Sequence, residues 1–106
     1  MAAFEHQFHE KPKLMQVNLG NNFELKDWPD FFNFSQPHLD QGVLHWDLDL
    51  RRMQRVDSML LGLFIGFNAL ISSKGGDLRL ICARQSRVSE FMVYAKLHRI
   101  IPIREV

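Results

Sequence analysis

The sequence holds one cysteine, Cys82, among its 106 residues. No internal disulfide can form, so a reducing, cytoplasmic setting is expected. An excess of charge is also missing: the formal net charge is +1, too weak a field to draw in nucleic acid or an anionic lipid surface. No apolar run approaches the ~18 residues that would cross a bilayer, so no membrane insertion is expected. The opening "MAAFEHQFHEKPK" carries charge and histidine where a signal peptide needs an apolar centre. Chemistry-bearing motifs are scarce as well. His6, His9, His38, His45 and His98 lack metal-ligand spacing. The G-x-S-x-G nucleophile elbow is absent, and "KGGD" lacks the Lys-Ser/Thr ending of a phosphate loop. Asp47 and Asp49 alternate on one strand near its end, with no histidine or nucleophile placed beside them in sequence. No enzyme, cofactor or metal centre is expected.

What is present is the composition of a globular domain, 46% hydrophobic with 24% charged, which argues against disorder. At this length one core buries roughly two-thirds of the unfolded surface without staples. Residues 1–12 read as a polar lead-in with a short strand over Phe4–His9, and residues 13–106 as a single domain. "LMQVNL" (Leu14–Leu19) is a strand closed by the turn "GNN". "FELKDWPDFFNF" (Phe23–Phe34) suggests a helical turn or two, with Pro29 breaking any longer helix. Its aromatic residues read as core, and "SQPHLDQG" reads as loop. "VLHWDLDL" (Val43–Leu50) alternates, with Leu44, Trp46, Leu48 and Leu50 on one side and His45, Asp47 and Asp49 on the other. A helix then runs from Ser58 to Ser73, stopped by "KGG" with Gly75 or Gly76 as the left-handed cap. "DLRLICA" (Asp77–Ala83) is a second alternating strand, "SRVSEFMVYAKLH" (Ser86–His98) a capped helix, and "RIIPI" a closing strand or tail. Strands separated by helices imply parallel pairing in a helix-covered sheet.

The stretch "RVDSMLLGLFIGF" (Arg55–Phe67) places Asp57 and Ser58, both good N-cap residues, before a helix with almost no polar side chain. Together with "DLDLRRMQRV" before it, "KGGDLRLI" after it and the terminal "LHRIIPI", it resembles the STAS domain of anti-sigma factor antagonists. That family carries "DSSGLG" at the start of a helix, then "GG", a strand, a helix and a short last strand. The likeness covers about Val43 to Ile103; upstream it lies in element order alone. It implies an α/β fold with a mostly parallel four- to five-stranded sheet covered by helices. It also implies a phospho-switch: the unmodified chain binds an anti-sigma factor that is also a serine kinase, and phosphorylation of Ser58 releases it. A serine phosphatase would reverse the step.

From this resemblance, and from the apolar stripe that the helix's own spacing adds to it, the expected partner-binding residues are Asp57, Met59, Leu60, Leu63, Phe67, Arg55 and Asn22. Met59 and Leu60 stand where the family has serine and glycine, which reshapes the contact. The family's early "GELD" turn is replaced by "GNNFE" (Gly20–Glu24); its aspartate has no clear match, and Asn22 is the partner-facing residue there. In the family register Leu61, Phe64, Ile65, Asn68 and Ile71 face the sheet, leaving Met59, Leu63, Phe67 and Leu70 as an outward apolar stripe. The competing rotation puts Leu63 and Phe67 in the core and Asn68 and Ser72 in water. Gly62 and Gly66 form a GxxxG pair that would let another backbone approach, a weak signal in a water-soluble helix. Arg51, Arg52 and Arg55 either neutralise a phosphate on Ser58 or simply line a solvated loop. The alternative to the switch is a STAS subunit that is never phosphorylated, acting by docking or assembly: a homo-oligomer, a signalling complex or a lipid-transport complex.

Overall fold

Three strand–helix–strand crossovers that all step the same way across a sheet leave little choice of architecture. The computed structural model describes residues 3–106; Met1 and Ala2 of the expected lead-in lie outside them. The elements run β1 (Phe4–Glu10), β2 (Lys13–Leu19), α1 (Trp28–Asp40), β3 (His45–Asp49), α2 (Ser58–Ser73), β4 (Asp77–Cys82), α3 (Arg87–Tyr94) and β5 (Ile103–Glu105), with single 3-10 turns at Leu25–Asp27 and Leu97–Arg99. The sheet order is β1-β2-β3-β4-β5. β1 and β2 form an antiparallel hairpin, and every later pair is parallel. Parallel crossovers are right-handed, so a monotonic order delivers all three helices to the same face.

The packing agrees. Met15, Val17, Leu19, Trp46, Leu48, Leu78, Leu80 and Cys82 are buried under the helices, while their neighbours Gln16, Asn18 and Arg79 are only half-buried. The expected helical cover therefore lies on one face of the sheet. Parallel strands buried on both faces read as continuous apolar runs; these alternate because their second face has no helix over it. On that open face Asp47 and Asp49 are nevertheless buried. Arg79 forks onto Asp47 at 2.7 and 3.1 Å, from the register position directly opposite on β4. Arg51 does the same to Asp49, its Nη2 at 2.6 Å. These bonds to carboxylates raise both guanidinium pKa values further, and the arginine stems shelter the acids from water.

Between the sheet and the helices lies an aromatic core. Phe31 meets Phe4 at 5.5 Å, Trp28 at 5.2 Å and Phe67 at 5.2 Å, and the Trp46 indole donates to the Val43 carbonyl at 2.8 Å. The strand expected at Phe4–His9 is present and extends to Glu10. The region around Pro29 departs from expectation. Pro29 falls in the first turn of α1, where a missing N–H costs nothing, and α1 continues through the stretch read as loop and past Pro37 to Asp40. The helix α2 has the bounds expected. Its stop divides two tasks between two glycines. Gly75 takes the left-handed cap at φ +84, whereas a Cβ on Gly76 would come within 2.1 Å of the Leu44 carbonyl oxygen. The helix α3 ends at Tyr94, earlier than expected, because Lys96 turns left-handed (φ 59) and starts a separate turn.

Cys82 is fully buried. Desolvation pushes its thiol pKa up, more than its bond with Ser89 lowers it, so little thiolate is available at neutral pH. Thiol-specific reagents should label Cys82 only as fast as the native chain opens, and denaturant should accelerate labelling strongly. Rapid labelling of the folded chain would contradict this placement.

Candidate functional site

The start of α2 is built by Asp57. Its backbone is extended, and its Oδ1 accepts a hydrogen bond from the Leu60 amide at 2.9 Å. Of the two cap candidates, then, Asp57 serves, and Ser58 becomes the first helical residue with an exposed side chain. The Ser58 and Met59 amides lie in the first turn, where no intrahelical carbonyl reaches them.

The rotation of α2 differs from both expected arrangements. Leu60, Leu61, Phe64, Phe67 and Ile71 are buried, and Leu63 and Leu70 are half-buried at the flank. Phe67 is a correction: it is 2% exposed, with its ring 6.1 Å from Trp28 and 5.5 Å from Trp46. Leu60, expected to meet a partner, is likewise core. Ile65, expected to face the sheet, is 36% exposed. The helix is turned roughly 50° from the family register, at ~100° per residue. The cause is the aromatic socket, which offers Phe67 ring partners that Ile65 would not use.

The outward stripe consequently reads Met59, Gly62, Ile65, Gly66 and Ala69, all exposed, with Met59 at 61%. Of the stripe first assigned, only Met59 is fully outside. Space around Gly62 and Gly66 is open. No residue of α2 carries a charge, so this outer face is smooth and uncharged where a surface helix is ordinarily polar. Sequence reasoning noted the glycine pair but missed Ile65 and Ala69. The absence of any charge around the helix was the signal that its outer face, too, would be uncharged.

Beside the cap lies an open cleft of about 520 Å³ between the turn after β2 and the loop before α2, and it gathers Asn22, Glu24, Leu25, Gln54, Arg55 and Asp57. Four residues expected in partner binding thus meet in one place, Asn22, Arg55 and Asp57 on its walls with the largely buried Leu60 behind them, although 33 positions separate the first two. Phe23 is buried and pins one wall. The Glu24 amide donates to Asp27 at 2.9 Å and stiffens it. Met53 and Val56 are buried and pin the other. Of the three arginines, Arg51 is engaged with Asp49, and Arg52 makes a long 3.8 Å contact to Glu5. Arg55 alone lines the cleft. Among the described residues no group of His, Cys, Asp or Glu could hold a metal ion, and no helix is long and apolar enough to cross a membrane.

An exposed serine beside a capping aspartate, at the mouth of a one-sided and mostly parallel sheet, is the arrangement of a STAS-class domain. Residues 6–103 match the family model described as "Mlab, STAS domain", and the chain belongs to that family. Among solved structures it is similar to the crystal structure of a candidate anti-sigma factor antagonist from Thermotoga maritima. There the TM-score is 0.81 and the identity 20%, with 97% of this chain and 86% of that one covered. The NMR structure of the same protein gives a TM-score of 0.80 and 20% identity over 95% of this chain and 79% of that one. At this identity the likeness speaks for the fold. No curated protein sequence matches the chain.

Two pairs of substitutions check the site. Asp57→Ala should lower stability by about 1 kcal/mol through loss of the cap, whereas Ser58→Ala should stay within about 0.5 kcal/mol of the parent. Phe67→Ala should lose about 3–5 kcal/mol, and Met59→Ala close to nothing. Urea unfolding measures all four, and equal losses at positions 59 and 67 would contradict the rotation of α2.

Proposed function

We propose that this chain is an anti-sigma factor antagonist that binds a serine-kinase anti-sigma partner through the start and outer face of α2, and that phosphorylation of Ser58 releases it. The observation that carries this reading is the division of labour at the helix start. Asp57 makes the cap bond, so the Ser58 hydroxyl can be modified without dismantling the helix. A phosphoserine adds about −1.5 to −2 charges. The free amides and dipole of the first turn favour such an anion by roughly 0.3–1 kcal/mol per charge. A docked apolar partner does not: an unpaired dianion buried in a contact costs several kcal/mol, and each ~1.4 kcal/mol is tenfold in affinity. Met59, Gly62, Ile65 and Gly66 then supply the contact, Asn22 and Arg55 its polar rim. The candidate antagonist role of the Thermotoga maritima protein supports the same reading.

Exposed Met59 favours a second reading. It stands where the family motif has a serine, on the approach a kinase would use, and suits a docking subunit that is never phosphorylated. One set of measurements separates the two. Incubation with the partner kinase and ATP should place phosphate on Ser58, and Ser58→Ala should abolish it while keeping affinity. Ser58→Asp should weaken binding by about tenfold or more, with an unchanged circular dichroism spectrum. Binding that persists in Ser58→Asp removes the switch. Binding with no phosphate incorporated supports the docking subunit instead. Gly66→Glu should weaken binding in either case.

A further inference from the structure

The two edges of the sheet are treated very differently. Edge strands expose unpaired N–H and C=O groups, and proteins ordinarily blunt them with shortness, proline, charged side chains (lysine above all), bulges or a covering element. β5 follows this practice: it is three residues long, directly preceded by Pro102, and carries Arg104. β1 follows it far less. It has seven residues, "FEHQFHE", with no proline, lysine or glycine, and pairs with β2 residue for residue without a bulge. Among the described residues no strand covers its outer side. Phe8 sits on this strand 40% exposed.

The direction of the free groups follows from the ladder. The Gly20 amide donates to the Ala3 carbonyl at 2.8 Å, and these two residues continue the β1–β2 register. In an antiparallel ladder hydrogen-bonded positions alternate. Glu5, Gln7 and His9 therefore turn their backbone groups toward β2, and Phe4, His6, Phe8 and Glu10 turn theirs outward. A second copy pairing antiparallel across a two-fold axis can use all four outward residues in one register: Phe4 opposite Glu10, and His6 opposite Phe8. Shifting by two residues loses at least one of these pairs. In that register the intervening, closely spaced pairs are Gln7 with Gln7 at the axis and Glu5 with His9 on both sides of it. The backbone's best register thus sets carboxylate against imidazole twice, with an amide pair between them. Either form of the imidazole can donate to the carboxylate. On the other face Phe8 meets His6 of the second copy, whose equivalent here already stacks on Phe34 at 4.5 Å. The Arg52 contact to Glu5, at 3.8 Å with both side chains exposed, is too weak to hold Glu5 back.

We infer that β1 is a dimerisation edge at which two copies of this chain join their sheets through the Gln7-centred antiparallel register. This surface is separate from the one assigned to the partner. β1 lies beyond β2 and β3 from β4, against which α2 packs, so each dimer would present two Ser58 rims.

Sedimentation of the full chain at hundred-micromolar concentration should give a mass near twice the 12.5 kDa of the monomer. Phe8→Pro removes an outward N–H and no bond to β2, and should give a monomer with an unchanged circular dichroism spectrum. Glu5→Lys should raise the dimer dissociation constant about tenfold or more, and adding His9→Glu to it should restore dimerisation by exchanging the partners. The exchange pair keeps the test sound if Phe8→Pro fails to fold. A parent chain that stays monomeric at millimolar concentration overturns the inference. So does a dimer that survives Phe8→Pro in a folded chain, or a Glu5→Lys loss that His9→Glu does not repair.

Discussion

The seat of Phe67 controls what this domain shows to its surroundings. Its ring lies between Trp28 and Phe31 of α1 and Trp46 of β3, so it locks two helices and the sheet into one aromatic body. Because a helix is rigid about its axis, fixing Phe67 also fixes which residues of α2 face outward. Met59, Gly62, Ile65, Gly66 and Ala69 reach the surface as a consequence. An interior packing preference thereby defines which residues form the exterior face of the helix.

Topology imposes the second constraint. Successive right-handed crossovers in one direction place every helix on one side, and the other side must solve the problem of a half-bare sheet with its own side chains. It does so with arginine. Arg79 and Arg51 lie over the two acids of β3, satisfying groups that burial alone would penalise. This division also accounts for the alternation that makes β3 and β4 recognisable. A sheet wrapped on both faces would have erased it. Among the described residues the sheet has two edge strands, β1 and β5, and they contrast in length and composition.

At the mouth of the sheet the chemistry is spare, and the reading of function rests on that economy. One aspartate holds the helix start, one serine stands free beside it, and the helix behind them has no charge with which to offset a new one. On the function proposed, added negative charge is tolerable to the domain and costly to a visitor. Such an asymmetry needs no moving part within the domain itself. It matches membership of the STAS family, and it also leaves room for a docking subunit that never uses the serine.

The elements with strong local chemistry were readable from residues alone. The bounds of α2 follow from Asp57 before it and Gly75 after it, and β3 and β4 from their two-residue period. Gly20–Glu24 and Arg55–Asp57 were both singled out in sequence, but their meeting in one cleft required the fold, since it depends on contacts distant along the chain. α1 was misread because Pro29 and Pro37 are breakers by propensity; Pro29 sits in the first turn, where a missing amide does not matter, while the helix carries the interior Pro37 despite the bond lost there. The rotation of α2 was undecidable in sequence for a deeper reason. Asn68 and the end serines are the polar residues of that helix, too few for its own pattern to set a rotation, and the ring partners waiting on α1 and β3 chose it. Sequence sufficed where a residue's neighbours along the chain set its conformation; tertiary structure decided wherever the partner was remote.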